Sequence, residues 1–132
     1  MAVSNLKNNI SIIEQGTETI SSVTWTYRKW SDGTAECWGE VSKTTTFSAW
    51  TAPIYYGTTY TGRYAYPEGL FISAPISQAI LKSCGCDAWL AKDSSNSAGD
   101  KTQTGSYYPL KVATASGNIP YTVGFYAIGK WR

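Results

Sequence analysis

The chain contains no histidine, and this absence limits the chemistry open to it. Catalysis by Ser–His–Asp or Cys–His groups and histidine-ligated metal sites are excluded. Glycoside hydrolysis needs two carboxyl groups roughly 5–9.5 Å apart, whereas Glu36 and Glu40, four residues apart on one strand, would be separated by roughly 13 Å. No glycine-rich phosphate loop precedes a helix. We therefore expect a protein that is not an enzyme and that uses no cofactor.

The chain has only three cysteines, Cys37, Cys84 and Cys86, which is an odd number. An odd count without a recognisable secretory signal predicts free thiols. Cys84 and Cys86 would share one face of a strand, where a bond between them would be strained. A single Cys-x-Cys without histidine lacks the partners for a metal site. The sequence therefore predicts that these cysteines act as small buried apolar side chains.

Runs of like charge and long apolar runs are also missing. Eleven basic and nine acidic residues are scattered along the chain and leave a net charge of +2. Without a basic cluster we expect no nucleic-acid partner. The opening residues "MAVSNLKNN" lack the apolar region of a signal peptide, and no stretch approaches the roughly 18 apolar residues of a membrane span. These patterns predict no membrane insertion and folding in a cytoplasm.

What the chain does have is typical of strands and turns. Of its 132 residues, 42% are hydrophobic and 14% aromatic, and glycine is abundant. Residues 1–22 are predicted to be a connector or a lead-in strand, residues 23–132 a head domain, and Lys92–Gly105 an exposed polar loop. The predicted strands are Trp25–Trp30, Thr34–Ser42, a segment near Phe47–Tyr56, Leu70–Ser73, Ser77–Ser83, Asp87–Ala91, Tyr107–Thr114 and Tyr121–Trp131. Many short strands at this spacing predict an all-β fold, an antiparallel β-sandwich.

The stretch "TWTYRKWSDGTAECWGEV" (24–41) predicts a hairpin around Asp32-Gly33. If these two residues form a type I′ turn, counting outward fixes the register. That register pairs Trp30 with Ala35, Lys29 with Glu36, Arg28 with Cys37, and Tyr27 with Trp38. The predicted core face carries Trp30, Ala35, Cys37 and Val41, with Thr26 and Arg28. The opposite face is predicted to form an oligomer interface or a binding platform from Trp25, Tyr27 and Trp38. A longer loop would invert this assignment.

A second aromatic stretch, "WTAPIYYGTTYTGRYAYPEG" (50–69), is the predicted ligand site. Flat rings that stack on sugar faces, together with hydroxyl groups and one guanidinium, suit a saccharide. Such loops also serve protein recognition, and alternate tyrosines can simply cover the edge of a core. The candidate ligand-binding residues are Trp50, Tyr55, Tyr56, Tyr60, Arg63 and Tyr64.

Three motifs, "WTYRKWSDGTAECWGEV", "YPEGLFISAP" and the terminal "VGFYAIGKWR", carry a resemblance over residues 14–132. They resemble the C-terminal head modules of tail-fibre and minor structural proteins of bacteriophages and prophages. The resemblance implies a β-rich head, often homotrimeric, in the virion tail, with other phage tail proteins as partners. It also implies non-covalent attachment to a saccharide or protein receptor on the host surface, and we expect a glycan.

Two other functions stay open at this point. One is a structural module that trimerises and caps a fibre without touching a receptor. It would be favoured if the aromatic rings were all buried in the core or between subunits. The other is a polysaccharide-degrading tailspike domain, which would need two carboxyl groups brought together by the fold, for instance those of Asp87 and Asp93.

Overall fold

The computed structural model describes residues 9–95, 99–113 and 117–132, and within these ranges the chain forms nine strands and no helix. The strands are β1 (Ile12–Ile20), β2 (Val23–Trp30), β3 (Thr34–Thr45), β4 (Phe47–Thr51), β5 (Ile54–Gly57), β6 (Ile76–Cys84), β7 (Trp89–Lys92), β8 (Tyr107–Val112) and β9 (Ile119–Lys130). They form a five-stranded sheet in the order β1-β2-β3-β9-β6 and a four-stranded sheet in the order β4-β5-β8-β7. Every neighbouring pair is antiparallel. The predicted all-β class with two antiparallel sheets is confirmed.

The ends of most predicted strands lie within three residues of the observed ends. Two predicted segments differ more. The segment near 47–56 is a hairpin of two strands, β4 and β5. Leu70–Ser73 is not a strand, so that prediction is wrong. Gly69 has a φ of +73°, and the amide of Leu70 donates to the carbonyl of Pro67, which forms a turn. Leu70 and Phe71 are buried as irregular chain, whereas Ile72 is exposed. Of the other predicted segments, residues 1–8, 96–98 and Thr114 lie outside the described residues.

The hairpin between β2 and β3 has a three-residue loop, and the predicted two-residue turn is therefore wrong. Lys29 pairs with Ala35 and Tyr27 with Cys37, one position away from the predicted register. The amide of Gly33 donates to the carbonyl of Trp30 at 3.1 Å, and Gly33 has a φ of +92°. A turn followed by one left-handed residue is a common three-residue hairpin loop. Glycine is needed at the left-handed position, because other residues are strained there.

The one-residue shift reverses the predicted faces of β2 and leaves those of β3 intact. Ala35, Cys37 and Val41 of β3 are buried, as predicted. On β2 the buried tryptophan is Trp25, whereas the predicted core residue Trp30 is only partly buried. The predicted Lys29–Glu36 pair is also replaced. Glu36 lies 3.7 Å from Arg28, and Lys29 lies 3.6 Å from Glu14 of β1.

The core lies on the inner face of the five-stranded sheet, and two parts of the chain cover it. One is the four-stranded sheet, where the ring of Tyr107 on β8 lies 6.0 Å from that of Phe125 on β9. The other is the irregular segment 58–75, which contributes the buried side chains of Tyr64, Tyr66, Leu70 and Phe71. β9 lies between β3 and β6, so the terminal apolar stretch is a central strand.

Burial of tyrosine in this core predicts alkaline sensitivity. Burial raises the pKa of Tyr66 to about 12 from 10.0. The unfolded chain therefore loses this proton at a lower pH than the folded chain, and stability that is fully present below pH 10.0 is lost as the pH rises toward about 12. We expect the free energy of unfolding from urea titrations to fall over this range, with Tyr66 contributing up to about 1.4 kcal/mol per pH unit. Tyr66→Phe should flatten the slope; an unchanged slope would contradict the assignment.

The three cysteines differ in environment. Cys37 is fully buried between β2 and β9, and burial raises the pKa of its thiol to about 12. It is the small core side chain that the sequence predicts. Cys84 and Cys86 are free thiols, as predicted, but only partly buried, and Cys84 packs against the core. The prediction of full burial is therefore wrong for this pair.

Candidate functional site

Four aromatic side chains line a shallow cleft of about 310 Å³ beside the four-stranded sheet. They are Trp50, Tyr56, Tyr60 and Tyr108, and we refer to this site as the aromatic cleft. Trp50 is 62% exposed and Tyr60 is 37% exposed. Exposed clusters of aromatic rings mark interaction sites on protein surfaces. The aromatic cleft is therefore the candidate binding site.

The strands of the four-stranded sheet aim these rings outward. Tyr56 and Tyr108 point away from the core because their neighbours Gly57 and Tyr107 are buried on its inner side, and successive side chains of a strand alternate between faces. Trp50 lies at the irregularity in β4, between Ala49 and Thr51. A bulge of this kind re-aims the side chain it carries. Trp50 therefore reaches the cleft from the edge of the sheet.

Tyr60 and Tyr108 form a stacked pair within the cleft. Their ring centroids are 4.6 Å apart and their planes differ by 14°. Partial burial raises the pKa of Tyr60, and the nearby Tyr108, Asp93 and Tyr56 add to the shift. The phenol of Tyr60 is therefore protonated at neutral pH and can donate a hydrogen bond. The pair presents both an apolar ring surface and hydroxyl groups.

A further exposed ring, that of Trp89, lies across the sheet from the cleft. Tyr56 pairs with Leu110, and Leu110 pairs with the exposed Trp89. Directly paired residues share a face, so Trp89 lies on the same outer face as Tyr56. With strands about 4.8 Å apart, the backbones of Tyr56 and Trp89 are separated by about 10 Å, and the buried Leu110 lies between them. This spacing would let one extended ligand contact both.

The structure brings together three of the six predicted ligand-binding residues, Trp50, Tyr56 and Tyr60. The other three lie outside the cleft. Tyr64 is 7% exposed and packs in the core at 6.0 Å from the Phe125 ring. Tyr55 has the opposite strand orientation from Tyr56. Arg63 is exposed, and its Nε donates to the carbonyl of Thr104 at 3.2 Å.

Tyr108 belongs to the cleft and was missed by the sequence reasoning. It lies about fifty residues beyond Tyr60 and reaches the cleft because β8 pairs with β5. A signal was present in the adjacent Tyr107-Tyr108, since neighbouring residues of a strand point to opposite faces. One of the two rings had to point away from the core.

A second concave surface lies on the outer face of the five-stranded sheet. This sheet groove of about 400 Å³ crosses β2, β3, β9 and β6. Trp38 pairs directly with Tyr126 at its floor. Lys82 forms an ion pair with Glu40 at its margin. The hydroxyl of Tyr126 donates to Glu36 at 2.6 Å, and this bond raises the pKa of Tyr126 to about 12.

The predicted platform of Trp25, Tyr27 and Trp38 does not form a single surface, because the observed hairpin register differs from the predicted one by one residue. Trp25 is 0% exposed, and its indole N–H donates to the carbonyl of Ala65 at 2.8 Å. Tyr27 has the same strand orientation as Trp25 and packs against the core. Only Trp38 of the three lies on the outer face, where the Arg28 guanidinium is 5.0 Å from its ring centroid.

Comparisons with protein-family models, with curated proteins and with solved structures found no match to this chain. In the described ranges, no three cysteine, aspartate or glutamate side chains converge in a way that could hold a metal ion. The same ranges contain no helix of the length and apolarity needed to cross a membrane. The site is therefore interpreted from its geometry.

Proposed function

We propose that this chain is the head domain of a phage or prophage tail fibre and that it attaches without covalent chemistry to a glycan on the host surface. The observation that carries the proposal is the aromatic cleft, where Trp50 and the stacked Tyr60–Tyr108 pair are exposed. The flat faces of such rings match the C–H faces of pyranose sugars, and the phenol groups supply hydrogen bonds that orient them.

The location in a virion tail is inferred from the resemblance of three motifs to phage and prophage head modules. A homotrimer is part of the same proposal. Three shallow clefts on one fibre would each bind weakly, and their combined avidity would exceed that of a single cleft without any new contact. Other tail proteins would then be the structural partners of the head.

Replacing Trp50 by alanine tests the saccharide site. Trp50 is exposed, so its removal should leave the fold intact, whereas a stacked aromatic contributes about 0.5–1.5 kcal/mol beyond its buried area. We expect this stacking loss alone to weaken binding to an array of bacterial surface polysaccharides by about 2- to 13-fold. Ile72→Ala is the matched control, because Ile72 is also exposed but lies on the irregular segment. Equal binding by wild type and Trp50→Ala would contradict the proposal.

The second candidate is an assembly module without receptor contact, and the sheet groove favours it. Ile80 in this groove is 58% exposed, and Ile76 on the same strand is 79% exposed. The two isoleucines share a face of β6 because they are four residues apart, and exposed apolar patches mark surfaces that partners cover. Light scattering of the polysaccharide-array sample separates the candidates. A trimer that binds no polysaccharide supports assembly, and a trimer that binds through Trp50 supports attachment.

A further inference from the structure

Cys84 and Cys86 place two thiols side by side at the surface. Their sulfur atoms are 3.6 Å apart, and both residues are partly exposed. The residue between them, Gly85, and the following Asp87 are exposed. We propose that Cys84 and Cys86 form a thiol–disulfide exchange site that closes reversibly to an intramolecular disulfide with small-molecule disulfides such as glutathione disulfide.

The backbone holds the two thiols in this arrangement. Cys84 is the last residue of β6 and pairs with Tyr121 of β9. The amide of Gly85 donates to the carbonyl of Pro120 at 2.9 Å. A Cβ atom at Gly85 would lie 3.1 Å from Cδ of Pro120 and 3.2 Å from Cγ2 of Ile119. The residue between the cysteines is therefore anchored against β9, and the sulfurs need to approach each other by only about 1.5 Å to reach bonding distance.

The surroundings favour exchange at mildly alkaline pH. Partial burial and the contact with Cys84 raise the pKa of Cys86, and the ammonium of Lys111 opposes the shift. The thiolate is the attacking species, so the rate should increase with pH. Cys37, in contrast, is fully buried and has no access to a dissolved disulfide.

The exchange proceeds in two balanced steps. One thiolate of the pair attacks a sulfur of glutathione disulfide; a mixed disulfide forms, the glutathione S–S bond breaks, and one glutathione thiolate leaves. The second protein thiolate then attacks the protein sulfur of the mixed disulfide and releases the other glutathione thiolate. The two protein thiols lose two electrons, which reduce glutathione disulfide to two thiols, and the two protons pass through solvent to those products.

The resulting bond should be easily reduced. A disulfide across a single intervening residue departs from relaxed geometry, and strained or exposed disulfides are the labile ones. Its position also matters for the fold. β6 belongs to the five-stranded sheet and β7 to the four-stranded sheet, so Cys84–Cys86 begins the connection between the two sheets. Closing the disulfide would tighten that connection.

Intact mass spectrometry of the full chain after incubation with glutathione disulfide tests the proposal. The wild type and Cys37→Ser should each lose two hydrogen masses without retaining glutathione. Cys84→Ser and Cys86→Ser should each retain one glutathione, because the second thiol that releases it is missing. Reduced glutathione should restore the starting mass in every case.

Three results would overturn the proposal. The first is a wild-type chain that keeps glutathione as a stable mixed disulfide, because the pair would then fail to close. The second is no reaction at either cysteine under conditions where a model peptide thiol reacts. The third is a wild-type disulfide that includes Cys37. Serine is close in size to cysteine, and circular dichroism of each variant checks that the β fold is retained.

Discussion

Trp25→Ala should lower the free energy of unfolding by about 3–5 kcal/mol, because it removes a large side chain from a closed site. Trp25 is 0% exposed, and its ring lies 5.4 Å from that of Tyr66 and 6.2 Å from that of Phe125. Its indole N–H also donates to the carbonyl of Ala65. This tryptophan therefore connects β2 to the irregular segment and to β9. Urea denaturation at neutral pH measures the loss.

Two further variants separate the sources of this loss. Trp25→Phe keeps an aromatic ring but removes the hydrogen bond to Ala65, and we expect a smaller loss of about 1–3 kcal/mol. Trp50→Ala removes an exposed tryptophan and should change stability by no more than about 0.5 kcal/mol. Equal effects for Trp25→Ala and Trp50→Ala would show that Trp25 is not buried and that the assigned hairpin register is wrong.

The hairpin shows which part of the fold the sequence predicts and which part it does not. Alternation along β3 correctly placed Ala35, Cys37 and Val41 on the core face. The faces of β2 depended on the length of the turn, and both two-residue and three-residue loops can contain Asp-Gly. A difference of one residue in the loop moves every side chain of one strand to the other face. Local pattern predicts strands, whereas the relation between strands depends on the turn geometry.

The aromatic cleft illustrates a similar limit. Of the candidates proposed from the density of rings in residues 50–69, three meet in the cleft. Tyr64 looked equivalent to Tyr60, yet it is buried against Phe125 because the irregular segment covers the five-stranded sheet. Tyr108 joins through a strand pairing that spans more than fifty residues. Contacts between distant segments depend on tertiary packing, which local composition does not encode.

Gly57→Ala tests how closely β5 packs against β8 and against the end of β3. Gly57 ends β5, and a Cβ atom there would lie 2.7 Å from Cγ and 2.8 Å from Cδ of Pro109 on β8. It would also lie 3.1 Å from the hydroxyl oxygen of Thr45, the buried last residue of β3. The proline ring is rigid and fully buried, so it cannot move aside. Overpacking of this kind should reduce stability by about 1–3 kcal/mol, measured by urea denaturation.

The sign of the Gly57→Ala effect is diagnostic, because two opposing contributions are present. Alanine in place of glycine restricts the unfolded chain and stabilises a protein by about 0.4–1 kcal/mol where the site can accept a methyl group. A gain would therefore mean that β5 and β8 are farther apart than the 2.7 Å contact requires. Ser48→Ala, at an exposed position of β4, is the control and should change stability by no more than about 0.5 kcal/mol. A loss at Gly57 alone would establish that the close approach of Pro109 and Thr45 sets the spacing where β3, β5 and β8 converge, next to the strands that carry the aromatic cleft.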